Sequence, residues 1–315
     1  MGGGRQGPRG RAGVAWAQLT PRLRLGQMES AVNVSPNAGQ PRANDFPERS
    51  GPLRCHDFSH AILRRPGKAV VAGLRAHDGP APAYDAVAAE HRAYAQALEH
   101  AGVSVEILEP MEDFPDSLFV EDPALVFGAG AILLNPGTAS RAGEAAHLLP
   151  TLEKHFETVL RLEFGHADGG DVLVTPEGVM IGLSARTDPA GARGLAELLQ
   201  RLSLQAQIVQ PPRGALHLKT AATLIDEETI LTTAAGEASG LFSRFRQIVV
   251  DCGEEAAANA LRVNETLLLS ANAPRIADRL GRAGYRLALL DTTHINRIDA
   301  GLSCMSLRWL ARTPG

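Results

Sequence analysis

Near the C-terminus, Ile298-Asp299-Ala300-Gly301-Leu302-Ser303-Cys304-Met305-Ser306-Leu307 sets a cysteine among glycine and serine, just before an apolar run. Small neighbours leave room around the sulfur and let a ligand approach the backbone, as a nucleophile requires. Read alone, Cys304 is equally a small core residue of a terminal strand. A candidate base stands in Leu216-His217-Leu218-Lys219-Thr220, where strand alternation puts His217 and Lys219 opposite the two leucines. His217 is then a proton shuttle or a half-buried surface histidine, with His166 as its competitor. Phe114-Pro115-Asp116-Ser117-Leu118-Phe119-Val120-Glu121-Asp122-Pro123 gathers three carboxylates in one segment. If residues 118–122 are extended, Asp122 shares an apolar face with Leu118 and Val120, which is costly unless it meets a cation; the other reading is a solvated acidic loop. His166-Ala167-Asp168-Gly169-Gly170-Asp171 brackets two glycines with two aspartates, as a tight bend presenting carboxylates or a plain turn would. Arg141, near a predicted helix start, and Arg186, after a predicted strand, are surface residues or anion grips. One thiol, one imidazole, several carboxylates and two arginines suit a substrate with a cationic head and an anionic tail. Carboxylates would hold a guanidinium, and arginines a carboxylate, by paired hydrogen bonds.

The elements that must position these groups repeat. Residues 58–63 read as a strand, followed by a Gly/Pro loop over 78–82 and a helix over 86–100 with Val87, Tyr94, Ala97 and Leu98 on one side. Gly102 ends that helix as a C-cap glycine does, and 103–108 is a strand. Four units of hairpin, helix and strand follow. Their hairpins turn at 128–130, 176–178, 226–228 and 264–265, their helices cover 141–155, 190–202, 241–245 and 275–281, and strands 159–162, 206–209, 247–250 and 286–289 close them. A C-terminal strand over 303–309 can complete the first unit. A period of roughly 40–50 residues is that of a propeller or array; the alternative is an α/β sandwich without symmetry.

Composition narrows the classes. The 315 residues are 44% hydrophobic and 21% charged, with a net charge of −4 and 4% aromatics. That balance excludes general affinity for nucleic acid or anionic membrane, and no apolar run is long enough to span a bilayer. The cysteines, Cys55, Cys252 and Cys304, are odd in number and outside any C-x-x-C pair, which fits a reducing, cytoplasmic setting. There is no G-x-S-x-G elbow, Walker A loop, H-E-x-x-H or structural-zinc spacing; a zinc site assembled from distant segments stays open. Residues 1–55, rich in Gly, Arg and Pro at their start and in Asn, Pro and Ser later, read as a disordered extension, and 56–315 as one catalytic domain. The arginine-rich start is compatible with a transit peptide, or with Met28 as the true first residue.

Seven segments in order resemble the dimethylarginine dimethylaminohydrolase family of the amidinotransferase/arginine deiminase superfamily: 114–123, 136–144 (Pro136-Gly137-Thr138-Ala139-Ser140-Arg141-Ala142-Gly143-Glu144), 168–171, Ser184-Ala185-Arg186-Thr187, 216–220, Ala257-Ala258-Asn259 and 298–306. The resemblance runs from about residue 58 to 309. It implies a five-bladed α/β propeller, no cofactor and no metal. It also implies a nucleophile at Cys304, a general acid/base at His217, and Asp168 as the carboxylate that orients the histidine and contacts the guanidinium. Asp122, with Glu121 beside it, would bind the guanidinium. Arg141 and Arg186 would hold the α-carboxylate; Asp116 and the backbone oxygens of Leu74 and Ile298 would hold the α-amine. The implied reaction is hydrolysis of Nω-methylated arginines to citrulline and an amine through an S-alkylthiouronium. Within the class, an arginine deiminase-like or other guanidino hydrolase remains an alternative; outside it stand a non-catalytic methylarginine-binding propeller and a zinc hydrolase. Residues 76–84 are the expected lid. A homodimer is left open.

Overall fold

The computed structural model describes residues 53–75 and 79–311. The expected N-terminal extension falls almost wholly outside these residues, as do positions 76–78 of the expected lid. Fifteen short strands lie in the described part: β1 (His60–Arg64), β2 (Ser104–Leu108), β3 (Ala124–Phe127), β4 (Gly130–Leu133), β5 (Val159–Arg161), β6 (Val172–Thr175), β7 (Gly178–Gly182), β8 (Ala206–Val209), β9 (Ala222–Leu224), β10 (Thr229–Thr232), β11 (Arg246–Val249), β12 (Leu261–Val263), β13 (Thr266–Ser270), β14 (Arg286–Leu290) and β15 (Leu307–Trp309). They form five three-stranded sheets. In four of them a hairpin pairs the first two strands antiparallel, and the third returns parallel to the second after a helical crossover. The middle strands β4, β10 and β13 are buried at every position, because neighbours cover both faces; this explains their near-continuous apolar sequences.

The first sheet is built from both ends of the described chain. β15 pairs antiparallel with β1, Ile62 opposite Leu307 and His60 opposite Trp309, and β2 runs parallel on the other side. The fold is therefore the expected five-unit α/β propeller, closed by its C-terminal strand. Strand closure starts later than expected, since Ser303–Met305 is a 3-10 turn.

Helices fill the crossovers. In α1 (Tyr84–His100), Val87, Tyr94 and Leu98 are fully buried at a spacing of seven and four, one helical face. Gly102, at φ +89°, terminates it, and Val103 N–H donates to Leu98 O at 3.1 Å. The second crossover departs from the reading of one helix over 141–155. Gly143, at φ +85°, separates the 3-10 turn Ala139–Arg141 from a second, Glu144–Leu148, which runs on into α2 (Leu149–His155). In the third, Asp188 caps α3 (Pro189–Arg201) by accepting from the Ala190 and Gly191 N–H groups. The strand expected over 216–220 is instead a short helix, α4 (Leu218–Ala221). The helix expected at 241–245 is a turn anchored by buried Phe242, and the helix lies upstream as α5 (Ala234–Ala238), capped by Thr233. The last crossover is α6 (Pro274–Arg282).

The first strand of each unit lies innermost: residues of β3, β6, β9, β12 and β15 together line one cavity of about 550 Å³. The segments entering those strands converge beyond its inner end, where the candidate site forms.

One side chain ties the ends of this ring. Asn264, in the β12–β13 turn at φ +51°, accepts from Phe58 N–H at 2.9 Å and donates to Phe58 O and Ala101 O at 3.0 and 2.8 Å. Replacing it by alanine leaves three main-chain groups short of a partner and an alanine in the left-handed region. Asn264→Ala should lose about 2–4 kcal/mol in urea unfolding, and Asn264→Gly should recover about 1 kcal/mol of that by removing the Cβ strain. Equal midpoints for wild type and Asn264→Ala would overturn the assignment.

Candidate active site

Asp122 stands two residues before β3, Asp168 and Asp171 before β6, His217 and Lys219 before β9, Asn259 before β12, and Cys304 before β15. Asp122, Gly170, His217, Lys219, Asn259 and Cys304 line one narrow cavity, with Leu74, Asp116, Arg141, Arg186 and Ile298. Eight of the ten side chains or backbones expected to act are thus brought together. Asp168 and Glu121 stand behind the wall.

Cys304 is 9% exposed. Its Sγ lies 4.0 Å from both Asn259 Nδ2 and Ser303 Oγ. Burial and the carboxylates of Asp122 and Glu121 push the thiol up to about 12, against the pull of the Gly301 backbone and Lys219. Without a cationic ligand the sulfur is held as a thiol.

His217 precedes α4, its backbone fixed by reciprocal hydrogen bonds with Thr220: His217 N–H donates to Thr220 Oγ1, and that hydroxyl donates to His217 O. The imidazole Nδ1 faces Asp171 Oδ2 at 3.2 Å. Asp171 is fully buried and accepts also from the Ser184 and Thr187 hydroxyls and from Leu218 N–H. The hydrogen bond to the imidazole thus comes from Asp171 and not from Asp168, the carboxylate expected to orient it, because the 3-10 turn Gly169–Asp171 rotates the second aspartate toward His217; Asp168 acts on the histidine through its charge. Burial alone would lower the His217 pKa; Asp168, Asp171 and Asp122 together more than offset it and raise it to about 9. Asp168 accepts from Gly170 N–H through Oδ1, while its buried Oδ2 has no partner.

Asp122 is not on an extended strand. Phe119 N–H bonds to Asp116 O and Asp122 N–H to Phe119 O, so successive turns carry residues 116–122. Those turns send neighbouring carboxylates to opposite sides. Asp122 reaches the cavity. Glu121 pairs with Lys219 at 2.6 Å and Arg308 at 2.8 Å and faces the large central cavity instead, which corrects its placement beside the guanidinium. Desolvation and the Asp168 charge raise the Asp122 pKa, and Arg141 opposes them.

Arg141 is 2% exposed, not a surface residue. Its Nε and Nη2 bind Glu144, each at 2.7 Å, Nη1 binds Asp122, and Nη2 also reaches Phe119 O at 3.0 Å. At most one of its five N–H groups remains for a ligand, so it clamps Asp122 as much as it could grip an anion. Arg186, half-buried, donates to Thr138 Oγ1. At the other end, Asp116 is buried and accepts from Leu74 N–H at 3.0 Å, and burial raises its pKa. Ile298 ends a 3-10 turn whose N-terminal His294 and Ile295 N–H groups are held by Glu90 of α1.

Asp171, Glu144 and Asn259 were not singled out for a role. Asp171 and Glu144 each lie three residues after a group that was, a spacing only a local turn makes meaningful. Among the described residues no cluster of metal-ligating side chains occurs.

A family model for arginine deiminase matches residues 108–286. The N(G),N(G)-dimethylarginine dimethylaminohydrolase of Pseudomonas aeruginosa is 35% identical over 254 residues, 80% of this chain and 100% of the relative. The protein of the same name from Streptomyces coelicolor is 31% identical over 258 residues, 79% of this chain and 96% of its own. A solved structure of the Pseudomonas aeruginosa enzyme, a cysteine-to-serine mutant complexed with citrulline, superposes with a TM-score of 0.77 over 80% of this chain and 99% of that one.

The two glycines of 168–171 are required by contact as well as by the bend. A Cβ on Gly170 would lie 2.8 Å from His217 Cγ, and one on Gly169 would lie 1.9 Å from Glu121 O. Gly170→Ala should displace the imidazole and lower kcat about 100-fold with the circular dichroism spectrum unchanged; undiminished turnover would refute the contact.

Proposed function

We propose that this chain, which belongs to the dimethylarginine dimethylaminohydrolase family, hydrolyses Nω-methylated arginines to citrulline and dimethylamine or methylamine. It is a hydrolase of linear amidine C–N bonds. The observation that carries the site reading is that one cavity gathers the thiol of Cys304, the imidazole of His217, the carboxylates of Asp122 and Asp116 and the guanidinium groups of Arg141 and Arg186, with Leu74 and Ile298. Carboxylates and arginines lining one cavity suit an amino acid with a cationic tail.

In this reading the guanidinium lies against Asp122, with the unpartnered Oδ2 of Asp168 behind it. Arg186 holds the α-carboxylate, with the remaining donor of Arg141. Asp116 and the carbonyl oxygens of Leu74 and Ile298 hold the α-amine. The incoming cation offsets the carboxylate field that keeps Cys304 protonated, so substrate favours the thiolate. Cys304 Sγ adds to the guanidinium carbon, and His217 protonates the departing amine as the C–N bond breaks. The S-alkylthiouronium is then attacked by water that gives its proton to His217, and collapse returns the thiol side chain and releases citrulline. Asp171 keeps the imidazole Nδ1–H aimed inward, leaving Nε2 for the transfers. Glu121 has no contact with substrate here; with Lys219 and Arg308 it forms a charged layer behind the reacting groups. The three unpaired cysteines agree with a reducing compartment, and we place the protein in the cytoplasm. Among the described residues no helix is long and apolar enough to cross a membrane.

Citrulline release should be faster from asymmetric dimethylarginine than from arginine, and Cys304→Ser should lower it about 1000-fold or more. Faster turnover of arginine would remove the methylarginine assignment, and activity surviving in Cys304→Ser would remove the nucleophile.

The pKa values give a second expectation. The reactive form carries one proton shared as thiolate and imidazolium, whereas the free site at neutral pH holds two, on Cys304 and on His217, whose pKa values are about 12 and about 9. One proton must leave, so kcat/KM should rise about tenfold per pH unit toward a break near 9, and more steeply where Asp122 is also protonated. Asp171→Asn removes a carboxylate that raises His217, so the break should move down while kcat falls. A flat profile between pH 6 and 9 would contradict this protonation scheme.

A further inference from the structure

Each of the five segments that enter an innermost strand contributes a residue to the wall of the narrow cavity. Four are assigned above: the segments before β3, β6, β9 and β15. The fifth, before β12, ends in Asn259, which is 6% exposed and lines the cavity. Both ends of its amide are turned to the nucleophile's segment. Oδ1 accepts from Ser303 N–H at 3.1 Å, which fixes the amide's orientation, since a nitrogen there would face another donor. Nδ2 is thereby directed at Cys304 Sγ, 4.0 Å away. The contact is close on the backbone side as well: a Cβ on Gly301 would lie 2.4 Å from Asn259 Cγ, so the chain turns tightly against the amide.

We infer that Asn259 is the thiolate-stabilising residue of this site, its amide N–H donating to Cys304 Sγ once the sulfur carries charge, while its oxygen holds Ser303 and so sets the sulfur's position. A thiol is a weak acceptor and gains little from this donor; a thiolate is a strong one and gains a charge-assisted bond. The amide therefore favours the reactive state selectively. It does so without adding a positive charge that would repel the guanidinium. The charged groups acting on the sulfur are Asp122 and Glu121 from the turns before β3 and Lys219 of α4; His217 lines the same cavity, and Asp168 and Asp171 bear on that histidine. The acidic ones disfavour the thiolate, and Lys219 is paired with Glu121, so a neutral donor at contact distance has a distinct role.

The inference rests on Cys304 being the nucleophile, which Cys304→Ser tests separately. Asn259→Asp keeps an acceptor for Ser303 N–H but replaces the donor facing Sγ by an oxygen. In a Cys55→Ser/Cys252→Ser background, the iodoacetamide alkylation rate of Cys304 is measured from pH 7 to 9.5 by mass spectrometry. The rate should track thiolate fraction, and the Asn259→Asp line should lie about tenfold lower at each pH. Its kcat should fall at least as far, with KM for dimethylarginine and binding of citrulline little changed. Asn259→Ser, which restores a small donor, should lie between the two. If Asn259→Asp does not fold, Asn259→Ala carries the same test, with the same downward displacement expected. Alkylation in either folded variant at the wild-type rate across the range would overturn the inference while leaving Cys304 as nucleophile.

Discussion

The site is organised by a buried excess of negative charge. Arg141 is matched by Glu144 and Asp122, Lys219 and Arg308 share Glu121, and His217 faces Asp171. Asp168, fully buried, makes no ion pair among the described residues and leaves one oxygen without a hydrogen-bond partner. An unpaired buried carboxylate is costly, and its charge raises the pKa values of Asp122 and His217, while burial with Asp122 and Glu121 raises that of Cys304. In the proposed reading the missing partner is the substrate guanidinium, which brings one positive charge and N–H donors. The free protein is thus held away from its reactive protonation state by the same groups that recognise the substrate.

This arrangement couples binding to chemistry. In the proposed mechanism a cation entering the cavity reduces the field on Cys304, so the nucleophile is generated where its target already lies. Between encounters the sulfur stays a thiol, which is slow toward oxidants and alkylating agents. The charged layer of Glu121, Lys219 and Arg308 lies between the reacting groups and the wide central cavity. Its ion pairs complete the inner end of the site without exposing it to that larger space.

Legibility from sequence followed physical range. Hairpins were readable because turn residues and apolar runs are local signals, and the repeat made the ring and its C-terminal closure foreseeable. Local geometry within the loops was not. Leu216 to Thr220 alternates like a strand, yet Thr220 bonding back to His217 and Asp171 accepting from Leu218 N–H start a helix there. In 168–171 both aspartates were visible, but which one meets His217 depends on a 3-10 turn that spacing does not encode. Arg141 looked like a poor helix-start residue and was read as an anion grip; Glu144, three residues on, becomes its partner only because Gly143 breaks the helix. Glu121 and Asp122 were treated as a pair, and turns separate them to opposite sides of a wall.

The pseudo-symmetry explains why so few residues suffice. The middle strands are buried at every position and stay apolar, so the polar groups that line the narrow cavity come largely from the segments that enter the innermost strands. Five such entries exist, and in the proposed reading each supplies something different: a guanidinium-binding carboxylate, a histidine-orienting carboxylate, a base, an amide and a thiol. The sheets are held by five clusters of buried apolar residues, each joining neighbouring sheets. Chemistry and fold are thereby separated to within two or three residues along the chain. Substitutions at the entry positions can change what the ring does to a guanidine, whereas substitutions one turn later act on whether the ring forms.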